Sequence, residues 1–152
     1  LAGSLNFSDL NEWAQTAQLS PLTSTLLGIA LIAAPAGKCA QFPLHLWLDE
    51  AMEGPNPASV LRNSMVVSGG AYVLYKLQPI LALSPVALTA LVILGTVTAI
   101  GASLVSIAQI DIKRALSHST SAYMGLVFLS VGLQQGGVAL MLLFTHAIAK
   151  AL

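Results

Sequence analysis

The hydrophobic pattern of this chain consists of long apolar stretches separated by short turns rich in Pro, Gly and charged residues. The stretches predict helices over about 21–37, 58–77, 85–110, 112–133 and 137–152, after an interfacial segment over 1–20. A further piece over about 39–50 is too short to cross a hydrocarbon core of ~30 Å, because a helix rises only about 1.5 Å per residue. We expect it to be the second half of a discontinuous helix, which predicts an all-α, polytopic transmembrane bundle.

Composition supports a membrane location and restricts the chemistry. The 152 residues are 56% hydrophobic and 8% charged, with zero net charge, whereas soluble domains carry about 25% charged residues. Balanced charge argues against a nucleic-acid partner. The single Cys39 excludes an internal disulfide, and no phosphate loop, dinucleotide fingerprint or cysteine cluster is present. We expect one partial membrane domain over 1–152, part of a longer subunit, embedded in lipid and without a cofactor or redox chemistry of its own.

Lys38 is the most unusual position in the pattern. It ends an uncharged run that begins after Glu12, and Pro35, Gly37 and Pro43 flank it. A cation at an interruption in an apolar helix is typical of an ion or proton path. Burial of an ammonium group favours its neutral form, so a lysine in such a place can take up and release a proton. Lys38 is therefore a candidate proton-translocation residue.

Three more titratable side chains interrupt the later apolar stretches. His146 and Lys150 are four positions apart and share a helix face, a spacing that suits a proton hand-off. His118 lies in another predicted helix, and histidine titrates near neutral pH. The alternative is that Lys150 extends to the membrane surface and that the histidines bond to neighbouring helices. Intramembrane ionisable residues are usually functional, so all three are candidates for proton translocation.

An acidic turn follows the predicted interruption. Its carboxylates are Asp49, Glu50 and Glu53. No histidine or cysteine lies at metal-ligand spacing from them, so a solvated loop is the alternative to a functional site. His45 either lines a path or caps a backbone group. The charged corner at 111–114, which contains Lys113, is either an interfacial anchor or part of a site.

Three ordered blocks of sequence resemble one family. They are KCAQFPLHLWLDEAMEGPNP at 38–57, DIKRALSHST at 111–120 and THAIAKAL at 145–152. These blocks resemble the antiporter-like chain-5 subunits (NuoL/NdhF family) of type I NAD(P)H:quinone oxidoreductase. The resemblance covers nearly the whole chain from about Leu26.

The resemblance implies a proton-translocating subunit in the membrane arm of a quinone-reducing enzyme. It implies that Lys38 is buried in a broken helix, and that the pair His146 and Lys150, together with Lys113, connects the path. It assigns NAD(P)H or ferredoxin, quinone and iron–sulfur clusters to partner subunits, and other membrane-arm subunits as partners. The implied location is the thylakoid or plasma membrane of a cyanobacterium. Subunits of multi-subunit Na+/H+ antiporters share the fold and the lysine and are the alternative.

Two departures from the family pattern change this picture. The chain has Asp49-Glu50 where members usually read Pro-Asp, and Arg62-Asn63 where an apolar residue and a histidine are usual. Asn63 cannot take up a proton at physiological pH and Arg62 is permanently charged, so the usual relay is interrupted. The pattern resembles cyanobacterial paralogues of the CO2-uptake complex, which work with a CO2-hydrating subunit. An anchor for that partner is a further alternative.

The same departures generate a hypothesis about a changed route. We expect Arg62 to pair with Asp49, Glu50 or Glu53. Together with His45, these residues are candidates for lining or gating a cytoplasm-facing proton path. The reason for this hypothesis is that both departures from the family pattern, at 49–50 and at 62–63, change the charge at neighbouring motif positions.

Replacement of Lys38 tests the central role assigned to it. Lys38→Ala is expected to abolish proton translocation while the complex still assembles, because the substitution removes the protonatable group without adding bulk. Proton translocation by the assembled complex in membrane vesicles is the measurement. Normal pumping by an assembled Lys38→Ala complex would rule the role out.

Overall fold

The computed structural model describes residues 6–151 as a bundle of helices, without a β-strand in that range. The helices are α1 Phe7–Thr16, α2 Pro21–Lys38, α3 Leu46–Glu50, α4 Asn56–Leu61, α5 Val67–Lys76, α6 Gln78–Leu81, α7 Pro85–Ala108, α8 Ile112–Gly132 and α9 Gly136–Ala151. A 3-10 turn, Ala51–Glu53, follows α3, and a π-helical turn, Arg62–Val66, joins α4 to α5 without a break. Helix α1 therefore lies within the predicted interfacial segment over 1–20.

Side-chain caps define where the long helices begin. The hydroxyl oxygens of Ser20 and Ser84 accept hydrogen bonds from the backbone N–H groups of Thr23 and Ala87, at 3.2 and 3.3 Å. A proline follows each of these serines at the first helical position, where its missing N–H costs nothing. The Asp111 carboxylate caps α8 in the same way. These local signals explain why the starts of α2, α7 and α8 coincide with the predicted ones.

The break after α2 is longer than predicted. The expected half-helix over 39–50 is helical only from Leu46, and the chain turns through 39–45 instead. Ala40 adopts a positive φ of 50°, which ends a right-handed helix. Pro43 has no N–H to donate, so the helix cannot restart before it. The predicted interruption exists, but the second half is one short turn of α3 and the 3-10 turn.

Glycines allow α7 and α8 to pack with their backbones in close approach. A Cβ atom added to Gly95 would lie 2.6 Å from both the Gly125 carbonyl oxygen and the Leu129 amide nitrogen. Small residues at such crossings permit the dispersion contacts that hold transmembrane helices together. Phe128 and Leu91, fully buried beside them, fill the core on the same side. This pair of helices is the frame against which α9 and the broken helix are placed.

The outer surface of the bundle is strongly apolar. Leu22, Ile107, Met141 and Phe144 are each at least two-thirds exposed. Within residues 6–151, α7 is the one helix long and apolar enough to cross a membrane by length and composition, and α9 is a shorter apolar helix. An apolar exterior of this extent around a helical bundle is characteristic of a protein whose solvent is lipid.

The close crossing of α7 and α8 gives a stability test with a matched control. Gly95→Ala is expected to lower the thermal unfolding midpoint of the purified subunit. The added methyl group clashes with α8 backbone and overpacking costs about 1–3 kcal/mol. Gly101→Ala lies on the same helix with nothing within 4 Å of its new Cβ, so it should leave the midpoint unchanged. Equal midpoints for the two variants would contradict the close packing.

Candidate functional site

His146 on α9 is the most completely buried titratable side chain of those proposed from sequence. It is 1% exposed, and its Nε2 atom lies 3.1 Å from the backbone carbonyl oxygen of Asn63. Its ring packs 5.0 Å from the Tyr123 ring of α8, and the Tyr123 hydroxyl hydrogen-bonds to Thr145 at 2.7 Å. Asn63 belongs to the π-helical turn, a distortion that often marks functional positions. The turn therefore brings a backbone acceptor to a buried imidazole.

Lys150 lies one helical turn beyond His146 on the same helix. Its ammonium group donates to the Leu116 carbonyl oxygen at 3.3 Å and to the Ser119 hydroxyl at 3.2 Å, both on α8. The side chain is half-buried. An ammonium has three N–H donors, so these contacts leave one for another acceptor.

A cavity of about 400 Å³ lies between the π-helical region, α8 and α9. It is lined by Met52, Asn56, Ser59, Val60, Asn63, Lys113, Leu116, Ala149 and Lys150. Lys113 is half-buried and donates to the Gly54 carbonyl oxygen at 3.3 Å. The buried Asn63 side-chain oxygen has no hydrogen-bond partner within the described chain. The polar lining and the volume suit several water molecules. The structure thus brings Lys113 and Lys150 to one polar cavity.

Lys38 does not join this cavity. It is exposed at the end of α2 and lines a separate cavity of about 340 Å³ with Pro35 and Gly70. Within residues 6–151 its ammonium group has no hydrogen bond or ion pair, so the expected burial is not provided by these residues. The physical reason is that α5 covers only one side of the Lys38 stem, where a Cβ on Gly70 would lie 3.1 Å away.

Arg62 does not form the expected ion pair. Its guanidinium donates to the backbone carbonyl oxygen of Ala51, and across the described chain it has no carboxylate within ion-pair distance. Glu50 and Glu53 are exposed. The expected ion pair was wrong for two reasons. Arg62, the first residue of the π-helical turn, faces the backbone carbonyl of Ala51 rather than a carboxylate. The Asp49 carboxylate faces His118 instead. Arg62 therefore ties the acidic turn to the helix through its backbone.

Asp49 is directed toward α8. Its Oδ1 atom lies 3.6 Å from Nε2 of His118, and the His118 ring is 5.9 Å from the His45 ring. The structure therefore gathers His45, Asp49 and His118 into a second cluster of titratable groups. Among residues 6–151, no group of three His, Cys, Asp or Glu side chains is placed to hold a metal ion.

Several contacts at the break could not be found from sequence. The Trp47 indole N–H donates to the Gly37 carbonyl oxygen at 2.9 Å, and the Phe42 backbone N–H donates to the Thr98 hydroxyl at 3.1 Å. The buried Cys39 thiol donates to the Val67 carbonyl oxygen at 3.2 Å. No sequence signal marks these partners, because each is set by how separate helices pack.

These features define a class: a helical transmembrane subunit with a broken helix and titratable groups inside an apolar bundle. All of the chain, residues 1–152, matches the transmembrane family described as NADH:quinone oxidoreductase/Mrp antiporter. The chain belongs to this family. The predicted family and the all-α transmembrane fold class are thereby confirmed.

Similar proteins narrow the family to one kind of subunit. The chain is 64% identical over 99% of its length to NAD(P)H-quinone oxidoreductase subunit 5, organellar chromatophore 2, of Paulinella chromatophora, and it covers 24% of that protein. It is 39% identical, over its full length, to the chloroplastic NAD(P)H-quinone oxidoreductase subunit 5 of Lolium perenne, covering 21%. The corresponding protein of Poa pratensis is 38% identical. The chain spans between a fifth and a quarter of the length of these relatives.

The indole cap on α2 can be tested with the chain's own cysteine as a probe. Trp47→Phe removes the hydrogen bond to Gly37 and is expected to speed thiol labelling of the buried Cys39 by about fivefold. A hydrogen bond contributes about 1 kcal/mol, and labelling requires local opening. Labelling is followed at Cys39 by mass spectrometry of the assembled complex. Trp13→Phe, on α1, is the control, and an unchanged rate in Trp47→Phe would show that the cap does not hold the break.

Proposed function

We propose that this chain is the proton-translocating segment of subunit 5 of an NAD(P)H- or ferredoxin:plastoquinone oxidoreductase in a photosynthetic membrane. Membership of the family and the names of the relatives support the kind of complex. Other membrane-arm subunits are its partners in this proposal, and the redox cofactors lie in those partners. The antiporter alternative is less well supported, because the relatives named above are all quinone-oxidoreductase subunits.

The observation that carries the proposal is the polar connection from Lys113 to His146. Lys113 and Lys150 line one cavity, and Lys150 is one helical turn from the buried His146. An ammonium and an imidazole can each give up and take up a proton, and transfer between them requires that they lie within reach of each other or of a bridging water. Water in the cavity would carry the proton between the two lysines. A structural role alone would not need two lysines on one cavity whose lining includes no carboxylate.

Lys38 has a different place in the proposed path. Its ammonium group lies at the helix break, exposed on this set of helices and without a carboxylate within ion-pair distance in the described chain. A charged group at such a position in a membrane requires a partner or water. We assign it the role of passing protons between this chain and a neighbouring part of the same subunit.

The finer proposal is that the complex is the CO2-uptake form, with a CO2-hydrating subunit as partner. Its support is the pair Arg62 and Asn63 in place of the apolar residue and histidine usual in the family. Asn63 offers only an amide and a backbone carbonyl to His146 and the cavity. Protons must therefore pass beside this side chain rather than through it.

Replacement of Lys150 tests both parts of the proposal. Lys150→Ala in the assembled complex is expected to reduce proton translocation by about tenfold or more, because it removes a proton-transfer group. CO2 uptake by cells that carry the variant should fall in parallel. Lys76→Ala is the matched control, since Lys76 lies at the end of α5 over the Tyr72 ring, away from the cavity.

The two measurements separate the two parts. Normal proton translocation in an assembled Lys150→Ala complex would contradict the translocation role. Lost translocation with undiminished CO2 uptake would contradict the CO2-uptake form alone.

A further inference from the structure

A second group of titratable side chains lies at the helix break, outside the Lys113–Lys150 cavity. His118 on α8 is 5% exposed, and its Nε2 atom faces Asp49 on α3 across 3.6 Å. That separation suits an ion pair but exceeds a normal hydrogen bond. The pairing therefore combines a buried histidine on one helix with a carboxylate on another.

His45 completes the group from the turn before α3. Its ring stacks on Phe42 at 5.3 Å and lies 5.9 Å from the His118 ring. The stacking holds the imidazole in one orientation. Its Nδ1 atom is buried and has no hydrogen-bond partner within the described chain.

Two buried polar atoms of this cluster lack hydrogen bonds. They are Nδ1 of His45 and Oδ1 of Asp49. Buried polar atoms are nearly always hydrogen-bonded to protein or to ordered water. A water molecule bonded to Oδ1 of Asp49 and to Nδ1 of His45 would satisfy both atoms and connect His45 to the carboxylate. Asp49 Oδ1 and His118 Nε2, 3.6 Å apart, need no water between them, because a small rotation of either side chain brings them within hydrogen-bond distance.

We propose that His118, Asp49 and His45 form a proton-holding cluster at the helix break, a branch separate from the Lys113–Lys150 cavity. The proposal rests on the proton-translocating function proposed above. In the loaded state one proton is shared between the His118 imidazole and the Asp49 carboxylate. When it moves, the N–H bond at His118 Nε2 breaks and an O–H bond forms at Asp49 Oδ1. Neutral imidazole and carboxylic acid replace the ion pair, so charge and protons balance.

The charged and titratable groups near His118 come from three segments: Asp49 on α3, His45 in the turn before it and Arg114 on α8. Of these three, Asp49 is the acidic group, so it is the acceptor for a proton held by His118.

The experiment uses the complete complex in vesicles. We compare His118→Gln, Asp49→Asn, the double variant and Glu12→Gln, an exposed carboxylate on α1 that serves as the control. Proton translocation is measured against pH, and infrared difference spectra follow the protonated carboxyl band. Each single variant is expected to slow translocation by about tenfold and to change its pH profile. The double variant should be no slower than either single, because the pair acts as a unit.

The infrared measurement distinguishes proton holding from a structural contact. A carboxyl band that disappears in Asp49→Asn and changes its pH dependence in His118→Gln supports the proposal. If His118→Gln does not assemble, the wild-type and Asp49→Asn spectra decide whether Asp49 is ever protonated. Absence of an Asp49 band, or a wild-type pH profile in both single variants, would overturn the cluster. Were Lys150→Ala to abolish pumping in the same assay, the proposed function would stand and only this branch would fail.

Discussion

The structure depends on hydrogen bonds to the backbone N–H and carbonyl groups that lose their helical partners where α2 ends. In an apolar surrounding, an unpaired N–H or carbonyl group is costly, so a broken helix persists only if other groups bond to its ends. Here α2, α3, α5 and α7 all contribute. Trp47 donates to the Gly37 carbonyl, Thr98 accepts from the Phe42 amide, and Cys39 donates to the Val67 carbonyl. The break is therefore a packed element of the fold. It determines the positions of Lys38, at the end of α2, and of the acidic turn that follows.

A second distortion, the π-helical turn between α4 and α5, also places polar groups inside the bundle. It directs the Asn63 carbonyl to the buried ring of His146 and orients the Asn63 side chain into the polar cavity. Arg62, at the start of the same turn, bonds to the Ala51 carbonyl and so connects the turn to the end of α3. Both irregular segments thus place polar groups inside a bundle whose exterior is apolar.

The titratable groups fall into three separate places rather than one continuous row. Lys113 and Lys150 share a cavity, His118 faces Asp49, and Lys38 stands apart at the end of α2. Intramembrane ionisable groups are costly. Backbone carbonyls, a hydroxyl and an opposite charge compensate the first two places, whereas the Lys38 ammonium group has no such contact within residues 6–151. Lys150 uses the carbonyl of Leu116 and the hydroxyl of Ser119, for example. Proton movement between such places requires water or side-chain motion, which makes the cavities central to the proposed mechanism.

The sequence by itself determined the helices, their caps and the family. Ser20, Ser84 and Asp111 mark helix starts because capping is local, and the apolar runs predict spans because lipid imposes length and composition. It also indicated that His146 and Lys150 share a face, since helical spacing is a local property. Tertiary structure alone decided the partners. Arg62 bonds to a carbonyl instead of a carboxylate, Asp49 faces His118, and the break extends to His45. The reason is that these contacts join segments far apart in sequence, and only the packing of α3, α5, α7 and α8 brings them within bonding distance.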